Sequence, residues 1–186
     1  MGLPTPGYKI NLLNEQGDSV EVGDVGQIVV DTTAFPYFFL GYWNDPKKAE
    51  EKLMGIWFLT GDLASKDSEG YYWFQGRADD IISSAGYRIG PFEVESSLLE
   101  HPAVAEAAVV GKPDPLKGEI VKAYVVLKPS FEPSTELAEK LRSFVKSKLS
   151  KHQYPREVEF VENLPKTPSG KIQRYILKQS LQSIRN

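Results

Sequence analysis

Apolar and polar positions alternate in short runs over the first part of the chain, then give way to strand and helix patterns in turn. Tyr8 to Leu13 and Gln27 to Asp31 predict strands, separated by turns at Asn14-Glu15-Gln16-Gly17 and Gly23-Asp24-Val25-Gly26. Asp45 before Pro46 predicts a helix start, because Asp accepts from the free amides of a first turn and Pro at the first helical position gives up no needed donor. That helix is expected through Lys47 and Lys52 to about Leu53. Ile56 to Leu59 reads as a strand, Thr60-Gly61-Asp62 as a loop, and Asp67-Ser68-Glu69-Gly70 as a hairpin turn returning through Tyr71 to Gln75.

The texture changes around Gly76-Arg77-Ala78-Asp79-Asp80, and a domain boundary is expected there, dividing the chain into 1–76 and 77–186. Ile81 to Ser83 reads as a strand, and Gly90-Pro91 opens a helix through Glu93, Val94, Leu98 and Leu99 that Pro102 stops. Val104 to Val110 and Ile120 to Leu127 are β-rich runs on either side of a loop at Lys112 to Gly118. After Ser134 and Thr135, the apolar residues Leu137, Leu141, Phe144, Val145 and Leu149 fall on one helical face. Val158 to Val161 gives another strand, and a last helix starts at about Gln173. The expected fold class is α+β, a small β-rich subdomain followed by a compact α+β domain.

Composition narrows the function classes. Hydrophobic residues make up 41% of the 186, enough for a core, and the net charge of −3 supplies no global basic field for nonspecific nucleic-acid binding. The chain has no cysteine, which excludes disulfides, thiolate zinc sites and a cysteine nucleophile. Two histidines without a ligand-spaced cluster argue against a built-in metal centre. No stretch approaches the roughly 20 apolar residues of a membrane span, and the start lacks the apolar run of a secretory signal, so the expected address is cytoplasmic. Met1 leads through Pro4, Pro6 and Gly7 directly into an apolar strand, which reads as entry in the middle of a sheet and predicts a truncated chain.

Three polar, glycine-bearing segments interrupt apolar structure and are the candidates for chemistry. In Thr60-Gly61-Asp62-Leu63, a carboxylate beside a glycine can present both oxygens to a vicinal diol such as a ribose; it suits equally a turn in which Asp62 bonds its own backbone. Gly76 to Pro91 carries Arg77 and Arg88 among Gly76, Gly86 and Gly90, a set suited to an anionic ligand, with a surface turn in ordinary ion pairs as the alternative. The Asp79-Asp80 pair lacks a third ligand nearby, so a hinge is favoured over a metal site. Pro165 to Ile172 is not a Walker loop, since Ile172 stands where Ser or Thr must follow the lysine. It offers Lys171 on a loop, a compact cation able to offset charge at a phosphate; taken alone, Gly170-Lys171 reads better as a solvated lysine after a turn.

In this order, WFLTGDLA, GYYWFQGRADDIISSAGYRIGPFEVES and LPKTPSGKIQR resemble the later signature motifs of the adenylate-forming superfamily, over essentially the whole chain. GYRIGPFEVES, HPAV and DPLKGEIVKAYVVL are most similar to AMP-forming acyl-CoA synthetases of the acetyl and medium-chain type. The resemblance implies that 1–76 is the end of a large N-terminal domain and 77–186 a mobile C-terminal domain. It implies a carboxylic acid, ATP with magnesium, and coenzyme A as reactants, an acyl-adenylate intermediate, and a domain rotation between two half-reactions. Asp62 would hold the ribose hydroxyls with help from Arg77, and Asp79 would be the pivot. Gly86, Tyr87 and Arg88 would line the coenzyme A tunnel, and Lys117 and Tyr154 would contact its nucleotide end. Lys171 would serve adenylation from the face of the small domain opposite the hinge segment.

The phosphate-binding Ser/Thr/Gly-rich loop, the acyl pocket, the adenine-contacting aromatic and the magnesium-binding glutamate of that family all precede the first residue of this chain. The chain alone is therefore expected to be inactive, with the missing N-terminal domain as its partner. A peptide-synthetase-like adenylation domain and a non-catalytic nucleotide- or partner-binding module are the rival readings. Reversible acylation of Lys171 is compatible with the first.

Overall fold

The computed structural model describes residues 1–34 and 38–183. The chain divides into two compact units, Met1–Asp79 and Asp80–Asn186.

The first unit is built on an antiparallel sheet. Strands β1 (Ile10–Leu13), β2 (Val25–Asp31), β3 (Leu53–Met54), β4 (Trp57–Lys66) and β5 (Tyr72–Arg77) lie in the order β1-β2-β4-β3, with β5 also beside β4. Alternation puts Leu12, Ile28, Ala64 and Tyr72 on one buried face, and the Tyr72 hydroxyl donates to the Ile10 carbonyl at 3.1 Å. Asp67 fastens the β4–β5 turn: one oxygen accepts from the Glu69 and Tyr71 amides and the other from the Trp73 indole at 2.8 Å. The Trp73 bond above all holds the Asp67 carboxyl below its ordinary range. The chain's three tryptophans, Trp43, Trp57 and Trp73, all fall in this unit.

Two expectations fail in this unit for physical reasons. The helix predicted to about Leu53 is only Pro46–Glu50 (α1). Asp45 caps it as expected, its carboxylate accepting from the Lys48 amide at 3.2 Å. With no buried residue to reward extension, however, the chain leaves the helix, and Leu53 and Met54 pair with Phe58 and Trp57. Thr60-Gly61-Asp62 is not a loop but the middle of β4, where Gly61 at φ +81 accommodates an irregularity in the strand. The boundary expected at 76/77 compares with a division after Asp79, and Arg77 completes β5, in register with Asp62.

The second unit has a mixed sheet around one long hairpin. Strands β8 (Val104–Asp114) and β9 (Gly118–Leu127) pair along their full length, so the expected loop narrows to its tip. On the other side of β9 lie β10 (Glu157–Phe160), parallel to it, and β6 (Ile82–Ser84), which is hairpinned to β7 (Tyr87–Ile89). The helices are α2 (Pro91–Leu99), α3 (Thr135–Lys148) and α4 (Arg174–Ser183). The Ser134 hydroxyl caps α3 by accepting from the Leu137 amide at 3.1 Å.

Both faces of this sheet are covered, which explains why β8 and β9 read as nearly continuous apolar runs. Ala107, Val109, Val121, Ala123 and Val125 point to the side where Ile82, Ile89, Val94, Leu98, Leu141 and Val145 gather. Their strand neighbours Ala108, Val110 and Tyr124 point to the other side, against Leu164, Leu177 and Leu181. Strand β7, absent from the sequence reading, is only three residues long; a two-residue turn creates it, with Ala85 at φ +49 and Gly86 at φ +83.

Candidate functional site

The sequence candidates fall into three places, two of them in the second unit. In the first unit, β4–β5 pairing brings Asp62 against Arg77, whose Nη1 donates to Asp62 Oδ1 at 3.0 Å and whose Nη2 donates to Asp79 Oδ2 at 3.2 Å. Burial works against the Arg77 charge, but the bonds and attraction from Asp62, and then Asp79, hold its pKa above the ordinary guanidinium value. Gly61 is required there: a Cβ would stand 2.9 Å from Arg77 Nη2 and 3.4 Å from Lys52 Nζ. Lys52, which sequence reasoning did not single out, thus adds a second cation over the glycine floor. Asp62 keeps Oδ2 for a further donor.

The second place is the β6–β7 hairpin with its surroundings. Gly86 forms its turn, and Tyr87 stacks on His152, ring centroids 4.1 Å apart and 11° from parallel. The Ala85 amide donates to the Lys117 carbonyl at 2.8 Å, so Lys117 is tied to the hairpin through its backbone. Tyr154 follows closely after His152 and carries the Arg156 guanidinium over its ring at 4.2 Å. Gly86, Tyr87, Lys117 and the 152–154 segment are therefore joined by contacts. Arg88, in β7, is exposed.

One carboxylate outside the predicted set braces this hairpin. Glu119 Oε2 accepts from the Ser83 amide at 2.8 Å, and the side chain reaches it by crossing Gly111, where a Cβ would meet Glu119 Oε1 at 2.4 Å. Gly111→Ala is expected to push the carboxylate aside and release that amide. Since a hydrogen bond to a charged group contributes about 1.5–3 kcal/mol, exchange of the Ser83 amide should quicken by roughly tenfold or more in hydrogen-exchange NMR. The Val109 amide should stay slow, and an unchanged Ser83 rate would show that Glu119 does not hold the strand.

The third place is the Lys171 turn. A bridge between Lys166 and Ile172 closes it, with the Thr167 amide donating to the Lys171 carbonyl at 2.8 Å and the Gln173 amide to the Pro165 carbonyl at 2.8 Å. Gly170 sits at φ +84 and donates back to the Thr167 carbonyl. Lys166 ties the turn to the start of β8 through the Glu106 carboxylate at 2.6 Å. Lys171 itself is exposed, and among the described residues no hydrogen bond or ion pair engages its Nζ. Ile172 packs on the Leu177 side of the sheet, whereas Ile82 and Ile89 anchor the hairpin on the opposite side.

Beside the turn, Arg174 opens α4 and forks onto Glu95, Nε to Oε1 at 3.0 Å and Nη2 to Oε2 at 2.7 Å, while Nη1 reaches Asp80 Oδ2 at 3.2 Å. Burial opposes its charge, but Glu95 first and Asp80 second hold the Arg174 pKa above its ordinary value. The available sequence signal was Glu95 itself, an acid on the face of α2 that carries Val94 and Leu98. Among the described residues no cluster of three or more His, Asp or Glu side chains is placed to hold a metal, and no helix is long and apolar enough to cross a membrane.

Residues 93–171 match the model of the AMP-binding enzyme C-terminal domain. They belong to that family. The domain thus takes in α2, the β8–β9 hairpin, α3, β10 and the Lys171 turn. Acetyl-coenzyme A synthetase of Bacillus subtilis is 50% identical over 179 residues, covering 96% of this chain and 31% of the relative. The 4-hydroxybutyrate–CoA ligase 1 of Metallosphaera sedula is 51% identical over 181 residues, covering 96% of this chain and 32% of the relative. The crystal structure of ATP-bound MatB from Rhodopseudomonas palustris superposes with a TM-score of 0.88 at 31% identity, covering 100% of this chain and 36% of that one. The chain spans about a third of the length of the relatives it matches. The α+β class expected from the sequence is the class observed, with an AMP-binding C-terminal domain in the second unit.

Proposed function

We propose that this chain is the carboxy-terminal part of an AMP-forming acyl-CoA synthetase, an acid–thiol ligase that converts a carboxylate, ATP and coenzyme A to acyl-CoA, AMP and pyrophosphate. The observation that carries the reading is the Lys171 ammonium, presented on an outward turn whose backbone is pinned but whose Nζ engages no group among the described residues. The ligase names of the relatives support it, as does the ATP in the MatB structure.

In the first half-reaction a carboxylate oxygen attacks the α-phosphorus, the bond to the β-phosphate's bridging oxygen breaks, and pyrophosphate leaves. Lys171 offsets the negative charge that gathers on the α-phosphate oxygens, while Asp62 accepts from the ribose hydroxyls and Arg77 keeps that carboxylate aimed. In the second, the coenzyme A sulfur attacks the acyl carbon, its proton goes to solvent, and AMP leaves. Gly86 admits the incoming chain closely, Tyr87 and Tyr154 offer ring faces, and Arg88 and Lys117 meet phosphates. Asp79, next to the division between the units, is the pivot that exchanges the two sets. The rest of the protein would supply the acyl pocket and the magnesium ligands, for which the described residues hold no fitting set.

The reading is tested by incubating the full-length polypeptide that carries this segment with ATP, coenzyme A and a panel of carboxylic acids. Acyl-CoA, AMP and pyrophosphate are expected in equal amounts. Loading of a carrier protein without coenzyme A would replace the proposal with the peptide-synthetase type. The 186-residue chain alone is expected to form no acyl-CoA, and turnover by it would contradict a division of labour between this segment and the rest of the protein.

A further inference from the structure

Arg174 occupies a position that none of the proposed chemical steps uses. Its guanidinium binds both oxygens of Glu95, and Glu95 is only 6% exposed. Glu95 Oε1 also accepts the Val109 amide of β8 at 2.8 Å. The third arm of Arg174 reaches Asp80, and Lys178 of α4 adds its Nζ 3.6 Å from the other Asp80 oxygen. Two cations of α4 thus meet two carboxylates, one on α2 and one immediately after Asp79.

The lysine turn and the residue that follows the pivot are therefore joined by one rigid fork rather than by flexible chain. A guanidinium fixes direction as well as charge, because its N–H groups are coplanar, and in Arg174 three of them are engaged on two acids. Hydrogen bonds within the turn hold its shape. They do not fix where the turn stands relative to Asp80: the Lys166–Glu106 pair and the packing of Ile172 and Leu177 seat it on the sheet, and the fork ties it to Asp80 directly.

We propose that Arg174 is a positioning residue for adenylation, locking the Lys171 turn to the exit of the Asp79 pivot so that rotation there carries the ammonium to a defined place. The inference rests on the acyl-CoA synthetase reading. Loosening the fork harms the half-reaction that needs Lys171 and spares the one that does not.

The test uses the full-length polypeptide, measuring acid-dependent ATP–pyrophosphate exchange for adenylation and conversion of a supplied acyl-adenylate with coenzyme A for thioester formation. Arg174→Gln is expected to lower exchange at least tenfold while thioester formation stays within threefold. Arg174→Lys, which keeps the charge without the fork, should recover only part of the loss. Asp80→Asn, which keeps the Glu95 pair and removes one attachment, should lower exchange several-fold with the same selectivity, and it decides the matter if Arg174→Gln does not fold. Equal losses in both half-reactions, or no loss in either, would overturn the positioning role. A Lys171→Ala control that retains exchange would instead overturn the function on which the inference rests.

Discussion

Replacing Lys171 with alanine in the full-length polypeptide is expected to cut acid-dependent ATP–pyrophosphate exchange by about a hundredfold to a thousandfold, the range seen when one preorganised electrostatic contact to a transition state is removed. The side chain is exposed, and among the described residues nothing holds its Nζ, so the substitution should leave the fold and its unfolding midpoint almost unchanged. Thioester formation from a supplied acyl-adenylate should remain within about threefold, because that step forms no new bond at phosphorus. Equal loss of both half-reactions would show that Lys171 acts on something common to them, such as nucleotide binding, and would remove the role assigned to it.

The largest effect on stability is expected at Leu98. It is fully buried on α2, within the core that Ile82, Val109, Val125 and Leu141 share, and the same helix carries Glu95. Leu98→Ala removes a packed side chain that its surroundings can only partly replace, at a cost of about 2–5 kcal/mol. Hydrogen exchange at the Val109 and Val125 amides, inside the same unit, should report the loss directly. Leu116 lies at the tip of the β8–β9 hairpin and is 93% exposed, so Leu116→Ala should change stability by no more than about 0.5 kcal/mol. Similar losses in the two variants would mean that this core does not govern the unit's stability.

The parts of the fold that were legible in the sequence are those in which a local pattern and its packing agree. Leu137, Leu141, Val145 and Leu149 recur at helical spacing after a serine cap, and α3 forms there. Gly90-Pro91 starts α2 where expected, and the apolar runs after Pro102 become β8 and β9. The errors arise where local preference is outweighed by a partner. Leu53 and Met54 follow a short helix with no buried face and are taken by β4 instead. Tyr87 to Ile89 is too short to show a period, and its strand exists because Ala85 and Gly86 both adopt positive φ.

The site divides in the same way. Asp62, Arg77 and Lys171 could be singled out because a charged residue beside glycine is visible within a few positions. Glu95 and Arg174 meet across 79 residues, and Glu119 reaches Ser83 across 36, separations at which spacing carries no information. Gly111 illustrates the limit: its necessity comes from a carboxylate crossing it, and neither its neighbours nor its own backbone angle announces this.

The confinement of all three indole rings to Met1–Asp79 has an optical consequence. Intrinsic fluorescence excited at the red edge of protein absorbance reads that unit alone, and the remainder of the chain, which carries only tyrosine and phenylalanine, is dark to it. Trp57 and Trp73 sit in the two strands that bring Asp62 and Arg77 together, so any change at that pair has reporters of its own without any label.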